Sequence, residues 1–268
     1  VDSLTERTPR VVSAVKLARA AERKKTGQFL AEGFNAVSEA AKSGLVRELF
    51  FTSDAFERHH ALILSIEAGG ARVFPITDRA AKALSDTVTP QGLVAVTGLV
   101  DVSLGRALAD GPRLIAVPVE VAEPGNAGTV IRVADAAGAD SVVLLGDSVD
   151  PHNGKCVRAS AGSVFHLPIA RERSIESGIE ALRSAGLSIV ATAADGEVDL
   201  DDADELLGRP TAWLFGNEAH GLPESVARDA DHRIRIPIHG RAESLNLATA
   251  AAICLYASAR AQRRSETS

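Results

Sequence analysis

The sequence contains no methionine, only two cysteines, and a single tryptophan and tyrosine among 268 residues. The lack of methionine carries no functional meaning. No apolar run approaches the ~18 residues that a membrane-spanning helix needs, so no membrane partner is expected. The stretch VDSLTERTPR has no apolar core of the secretory kind. Cys156 and Cys254 stand far apart and in no CxxC or Cys/His spacing, which leaves two buried, reduced thiols of a cytoplasmic protein. His59 and His60 are adjacent, so on a helix they point about 100° apart and cannot share a metal. No metal site is expected. Nucleotide fingerprints are missing as well. GNAGTV is not G-x-G-x-x-G, and SVDPHNGKC has Val149 at the first glycine of a phosphate loop and Cys156 in place of the Ser or Thr that would reach magnesium.

A surplus of positive charge is also lacking, since the chain carries −6. Its distribution says more than its sum. DGEVDLDDADELLG, from Asp195 to Gly208, holds seven acids and no base, and the remainder of the chain is at +1. Between Arg7 and Lys25 lie seven basic side chains against the single acid Glu22, and Arg260, Arg263 and Arg264 follow near the end. A solvated helix face and an RNA-binding surface both fit such a run.

What is present is a soluble globular composition, 46% hydrophobic and 24% charged, long enough for two domains with their own cores. The first hundred residues alternate helical and extended patterns. PRVVSAVKLARAAERKK reads as one amphipathic helix, followed by the strand QFLAEG and the helix GFNAVSEAAKSG. The strand VRELFFT, a helix capped at Asp54, the strand ARVFPIT, the helix DRAAKALS and the strand GLVAVTGLV complete a small α/β sandwich. Residues 101–112 form a linker with a short helix. From 113 to 268 short apolar strands (RLIAVPVEV, SVVLLG, FHLPIA, LSIVATA, TAWLF, HRIRIPI) alternate with helices, the pattern of a mostly parallel sheet covered on both faces. Ligands of such sheets lie beyond the carboxyl ends of the strands.

Three loops after strands in this second part are unusual. In EPGNAGTVIR, Gly125 and Gly128 allow a tight turn, a helical pattern starts at Thr129, and Arg132 stands one turn inside it. This arrangement is a cationic helix mouth suited to a phosphate or an oxyanion, or else a glycine turn beside a surface arginine. In TAWLFGNEAHGLPESV a buried strand ends at Gly216, and Glu218 beyond it either accepts bonds from a ligand or ties down the loop. In RIRIPIHGRAESLNLATAAA, Ser244 is an N-cap candidate, Asn246 lies in the first helical turn, and Leu245 to Ala259 carries almost no charge. Such a helix is buried on several sides, often partly by a second subunit.

EPGNAGTVIR, LFGNEAHGL and IPIHGRAESLNLATA resemble, in order and spacing, the three motifs of the SpoU (TrmH)-type RNA ribose 2′-O-methyltransferases. The likeness covers the whole chain. QFLAEGFNAVSEA and TVTPQGLVAV are similar to the ends of the family's substrate-binding N-terminal domain, which resembles ribosomal proteins that grip RNA. Members acting on ribosomal RNA, including thiostrepton-resistance enzymes, look most alike. Glu123 departs from the Asp of many members but keeps the carboxylate.

The resemblance implies a C-terminal parallel sheet closed by a deep trefoil knot, a homodimer, and S-adenosylmethionine (AdoMet) as methyl donor without a metal. By the same resemblance Thr192, Ala193, Gly216, Asn217, Ile236 and Leu245 would bind AdoMet, and Asn126, Arg132, Glu218, Ser244 and Asn246 would surround the reacting ribose. Arg132 is the family's proposed base. A guanidinium does not readily deprotonate, so stabilising the forming alkoxide or holding the neighbouring phosphate suits it better. The expected substrate is 23S ribosomal RNA. A tRNA ribose or base methyltransferase and a non-catalytic RNA-binding protein remain the rival readings.

Overall fold

The computed structural model describes residues 3–265. The chain divides into two compact units, one formed by Val1–Val100 with Asp150–His166, the other by Asp101–Val149 with Leu167–Ser268.

The first unit is built on four strands, β1 (Gln28–Glu32), β2 (Val46–Phe51), β3 (Arg72–Pro75) and β4 (Leu93–Gly98). Their order is β1-β4-β2-β3, with only β2 and β3 parallel. Val11, Ala14 and Leu17 pack with Phe50, Val94 and Val96 of the sheet in one apolar cluster. The single long helix expected here is two helices, α1 (Pro9–Val15) and α2 (Ala20–Thr26), with a 3-10 turn between them and an extended residue at Arg19. Breaking a helix orphans carbonyls that must find other donors. Arg23 supplies them, donating to Leu17 O at 3.0 Å and Ala18 O at 2.9 Å. The helix α3 (Phe34–Lys42) follows β1. The next, α4 (Ser53–Ala68), is capped by the Thr52 hydroxyl, which accepts from Ala55 N, so Asp54 is not its cap. The helix α5 (Asp78–Leu84) completes the first hundred residues.

The second unit contains β5 (Asp101–Val102), α6 (Leu104–Ala107), β6 (Leu114–Pro118), α7 (Pro124–Ala137) and β7 (Ser141–Leu145). The helix α8 (Gly154–Ala159) then falls in the first unit. The second resumes with β8 (Ile169–Glu172), α9 (Ile175–Ser184), β9 (Ser188–Thr192), β10 (Val198–Asp199), α10 (Asp204–Leu207), β11 (Thr211–Phe215), α11 (Glu224–Asp229), β12 (His232–Arg235) and α12 (Leu247–Ser265). Its eight strands lie in the order β10-β12-β9-β11-β6-β7-β8-β5, and every pairing is parallel. Alternation along β11 divides the core. Ala212 and Leu214 join Ile115, Val117, Ile179 and Ile189 in one cluster. Trp213, fully buried, instead donates from its indole to Ser258 of α12 at 2.7 Å and stacks on Phe215.

Three expectations about organisation change. Residues 101–112 are no free linker, because Asp101–Val102 pairs with β8 as an edge strand. The strand expected at FHLPIA starts later, at Ile169, after a 3-10 turn over Ser163–Phe165. Domains contiguous in sequence miss that Asp150–His166 belongs with the first unit. There the rings of His152 and Phe165 pack on Phe29 at 4.8 and 5.8 Å, and Arg158 pairs with Glu32 at 3.2 Å. Asp150 takes two bonds from Arg23, at 2.9 and 2.7 Å, and one from His152 Nδ1 at 3.0 Å. Val100 N donates to His152 Nε2 at 3.2 Å. Arg23 is therefore buried, not part of a solvated cationic face.

The acidic stretch is also not free charge. Arg233 pairs with Asp195 and Glu197, Arg235 with Asp199, and Arg260 and Arg264 both with Asp204. Arg260 and Arg264, near the end of the chain, thus neutralise an acid of their own unit. Cys156 and Cys254 are free and buried, and desolvation pushes the Cys156 thiol up to about 12 and the Cys254 thiol higher still.

Candidate active site

Because all strands of the second unit run the same way, the carboxyl ends of β6, β9, β11 and β12 lie along one edge. Phe215 is level with Pro118, Leu214 with Ala191, and Ile234 with Thr192. The loops that leave these ends carry eight of the eleven residues assigned by the resemblance; Thr192 ends β9, and Asn126 and Arg132 lie within α7.

The loop after β6 turns sooner than the sequence suggests. The helix α7 begins at Pro124, with Glu123 as N-cap accepting from Gly125 N at 3.1 Å. Proline suits the first helical position because its missing N–H would be unpaired there in any case. Asn126 and Gly128 are therefore in the first turns of the helix, not in a loop ahead of it. Arg132 is eight residues on from Pro124, about 12 Å along the axis, rather than one turn inside. It is exposed and makes no hydrogen bond or ion pair among the described residues.

The loop after β11 folds onto itself. Asn217 and Gly221 exchange backbone bonds at 3.0 and 2.8 Å. A Cβ on Gly216 would lie 2.3 Å from the backbone of Gly221 and Leu222, so glycine is required there by the loop's own return path. The Asn217 side chain is spent within the protein. Its Oδ1 accepts from Ala219 N at 2.8 Å, and its Nδ2 donates to Glu120 O at 2.6 Å. Glu120 has φ +51°, an uncommon conformation outside glycine, and no sequence signal marked it.

At α12 the cap is Asn246, not Ser244. Asn246 Oδ1 accepts from Ala248 N at 2.9 Å and Thr249 N at 3.3 Å, while Ser244 is exposed and makes no hydrogen bond among the described residues. This cap fixes which way the amide faces. With Oδ1 turned to the helix, Asn246 Nδ2 donates to Asn126 Oδ1 at 3.1 Å, and Asn126 Nδ2 donates to Glu218 Oε1 at 3.0 Å. A directed chain thus runs from the α12 N-terminus through two amides to a carboxylate, joining the starts of α12 and α7 to the loop after β11. Glu218 is exposed at its end, so both the ligand-facing and loop-tying readings of this residue have a structural basis.

The remaining residues lie at neighbouring strand ends and in the loops beyond them. Thr192 Oγ1 donates to Leu214 O at 3.1 Å, and Ala193 N to Ile234 O at 3.0 Å. Thr192, Ala193, Asn217, Ile236 and Leu245 are all half-buried and uncharged. Half-buried apolar side chains beside loop backbone fit a nucleoside-like ligand, which needs apolar faces and a few polar edges. Among the described residues no group of three His, Cys, Asp or Glu side chains is placed to hold a metal ion.

The fold and these loops define an α/β protein with its candidate site at the carboxyl edge of a parallel sheet. Residues 113–256 match the SpoU rRNA Methylase family, and residues 8–95 match the MRM3-like substrate binding domain. The chain is 35% identical over 242 residues to the 23S rRNA (guanosine(2553)-2'-O)-methyltransferase RlmP of Bacillus subtilis, spanning 90% of this chain and 92% of that one. It is similar to the AdoMet-bound rRNA methyltransferase from Sinorhizobium meliloti, with a TM-score of 0.82 and 34% identity over 97% of each chain. The SpoU methyltransferase AviRb from Streptomyces viridochromogenes, in complex with AdoMet, gives a TM-score of 0.83 at 30% identity, over 96% of this chain and 100% of that one. The chain belongs to the SpoU rRNA methylase family.

Proposed function

We propose that this protein methylates a ribose 2′-hydroxyl of 23S ribosomal RNA with AdoMet as donor. The observation that carries the reading is the Asn246–Asn126–Glu218 chain, which draws the three family motifs together at one sheet edge. Bound between the strand-end loops, AdoMet supplies an activated methyl group. The protein's own part is positioning, which can account for much of the rate when the reacting atoms are held in line. Thr192, Ala193, Gly216, Asn217, Ile236 and Leu245 form the donor's side of the site, with Gly216 and Asn217 acting by shaping the loop. Asn126, Glu218, Ser244 and Asn246 face the ribose, and the Glu218 carboxylate is placed to accept a hydrogen bond from its hydroxyl. Arg132, exposed and unpaired among the described residues, is free to meet the neighbouring phosphate or the forming alkoxide.

The first unit captures the RNA in this reading. Arg7, Lys16, Arg19 and Lys24 are exposed there without a partner among the described residues, whereas Arg10 pairs with Glu48, Arg23 with Asp150, and Lys25 with Glu22 at 3.9 Å. The deep trefoil knot, a homodimer and a cytoplasmic location belong to the same proposal. The likeness to SpoU methyltransferase structures supports the knot. Ile253 and Tyr256, 38% and 53% exposed on an almost uncharged stretch of α12, support the dimer. No helix among the described residues is long and apolar enough to cross a membrane. The test is incubation with AdoMet and unmodified 23S rRNA, followed by nuclease digestion and mass spectrometry. A 2′-O-methylnucleoside is expected. A base-methylated nucleoside, a product on tRNA alone, or no product overturns the reading.

A further inference from the structure

We infer that a groove on the first unit, lined by Arg10, Lys16, Arg47 and Arg72, binds the phosphodiester backbone of the RNA substrate. The inference rests on the RNA-methyltransferase reading and adds a place and residues that the family assignment does not give.

A defect in the sheet creates the groove. Pairing of β2 with β4 runs from Val46 opposite Thr97 directly to Glu48 opposite Val96, which leaves Arg47 as the extra residue of a β-bulge. Neighbouring residues of a regular strand point to opposite faces. Arg47 and Glu48 nonetheless line the same concavity, of about 660 Å³, because a bulge re-aims the side chain it carries. Arg10 and Lys16 enter it from α1 and the turn that follows, and Arg72 enters from β3. Four cations thus face two acids, Glu22 and Glu48.

The cations are arranged rather than scattered. Arg10 donates to Glu48 Oε1 at 2.7 Å and lies 4.3 Å from the centroid of the Phe74 ring. Arg72 pairs with the same carboxylate oxygen. One half-buried acid therefore orients two arginines whose charge it cannot cancel. Lys16 and Arg47 are exposed and without a partner among the described residues. Cations spaced from a helix across a sheet suit successive phosphates better than one compact anion. The exposed aromatics Phe34 and Phe56 are not among the groove's lining residues, so the groove meets backbone rather than stacked bases.

The experiment compares the full chain with Lys16→Ala/Arg47→Ala and with the charge-matched control Arg79→Ala/Lys82→Ala. Binding of unmodified, in-vitro transcribed 23S rRNA is titrated across salt concentrations. Losing two phosphate contacts should flatten the slope of log affinity against log salt by roughly 1.4–1.8 and so weaken binding roughly 25- to 60-fold near 0.1 M salt. The control should keep the wild-type slope, and all three should share one melting temperature. In methyl transfer the groove variant should need more RNA than wild type or the control to reach half its maximal rate. A wild-type slope in the groove variant overturns the groove, as does an equal loss in the control. If wild type binds RNA through these residues but transfers no methyl group, the groove stands and the enzymatic reading falls.

Discussion

The molecule holds two polar chains of similar make-up and opposite use. In the second unit Asn246, Asn126 and Glu218 link the starts of α12 and α7 to the loop after β11, with a carboxylate exposed at the end. In the first unit Arg23 joins Asp150, 127 residues away, and through it His152, but inside the fold. There Arg23 and His152 are only 4% and 3% exposed. Hydrogen-bonding groups left facing solvent can be handed to a ligand. Groups sealed from water must satisfy one another, and removing one leaves its partner stranded at high cost. On the function proposed above, the same chemistry serves a reaction in one place and the fold in the other, and burial decides which.

The largest expected effect is on the buried chain. Asp150→Ala leaves the Arg23 guanidinium buried without its counter-ion, and chemical denaturation should show a loss of about 3–5 kcal/mol, the usual scale for breaking a buried ion pair from one side. Bonds from His152 and Arg23 outweigh desolvation and hold the Asp150 carboxyl well below the usual carboxylate range. A carboxyl whose folded pKa is depressed contributes stability that is fully present above its unfolded value near ~3.9. That contribution is lost as pH falls through the lower, folded value. Acid titration of stability should therefore show wild type losing ground below about pH 4, with that component absent from Asp150→Ala. A variant as stable as wild type would mean that this chain is ornamental.

The next effect belongs to Arg132. Arg132→Ala should leave melting temperature and AdoMet affinity near wild type and lower methyl transfer by at least ~100-fold, the scale for losing one preorganised charge stabiliser. Arg132→Lys separates its possible roles. If a bidentate hold on phosphate matters, lysine should be nearly as poor as alanine at every pH. If proton removal matters, activity should recover as pH rises through the lysine pKa. Normal transfer by Arg132→Ala would make this arginine a plain surface residue.

Asn246 gives a smaller and more divisible effect. Asn246→Ala should cost about 1 kcal/mol of stability as a lost N-cap. Asn246→Asp keeps a capping oxygen but deletes the donor to Asn126. It should stay within about 0.5 kcal/mol of wild type in stability, since both are good caps. It should still slow methyl transfer about tenfold, the effect of one lost hydrogen bond of ordinary strength. Equal rates for Asn246→Asp and wild type would confine Asn246 to the cap.

The two chains also differ in how far they could be read from sequence. Alternating apolar strands and helices disclosed the parallel sheet, and the three motif loops fall at the carboxyl edge where such sheets bind ligands. Local signals misplaced the details. Gly125 and Gly128 suggest a loop, yet Ala127 and Gly128 are buried in the first turns of α7, where proline at the first position and Glu123 as cap start the helix. Ser244 has the better capping pattern, but Asn246 makes the bonds. The buried chain was illegible. Arg23 stood in a basic run like any solvent-facing cation, and its burial depends on Asp150, 127 residues away. Asp150 itself sat in a stretch that locally resembled part of a phosphate loop. The bulge at Arg47 depends on strand register, which composition does not reveal.

If the exposed chain positions a ribose for methyl transfer, Asn126, at its middle, is the residue whose loss matters most. The direct measurement is single-turnover transfer from labelled AdoMet into unmodified 23S rRNA by wild type and Asn126→Ala. Each product is identified by mass spectrometry after nuclease digestion, and AdoMet affinity is measured on the same samples. Wild type should give a 2′-O-methylnucleoside and Asn126→Ala a rate at least ~100-fold lower, as for other groups that hold reacting atoms in line, with AdoMet binding unchanged. The positioning role is contradicted if wild type makes no 2′-O-methylnucleoside, or if Asn126→Ala makes it at the wild-type rate.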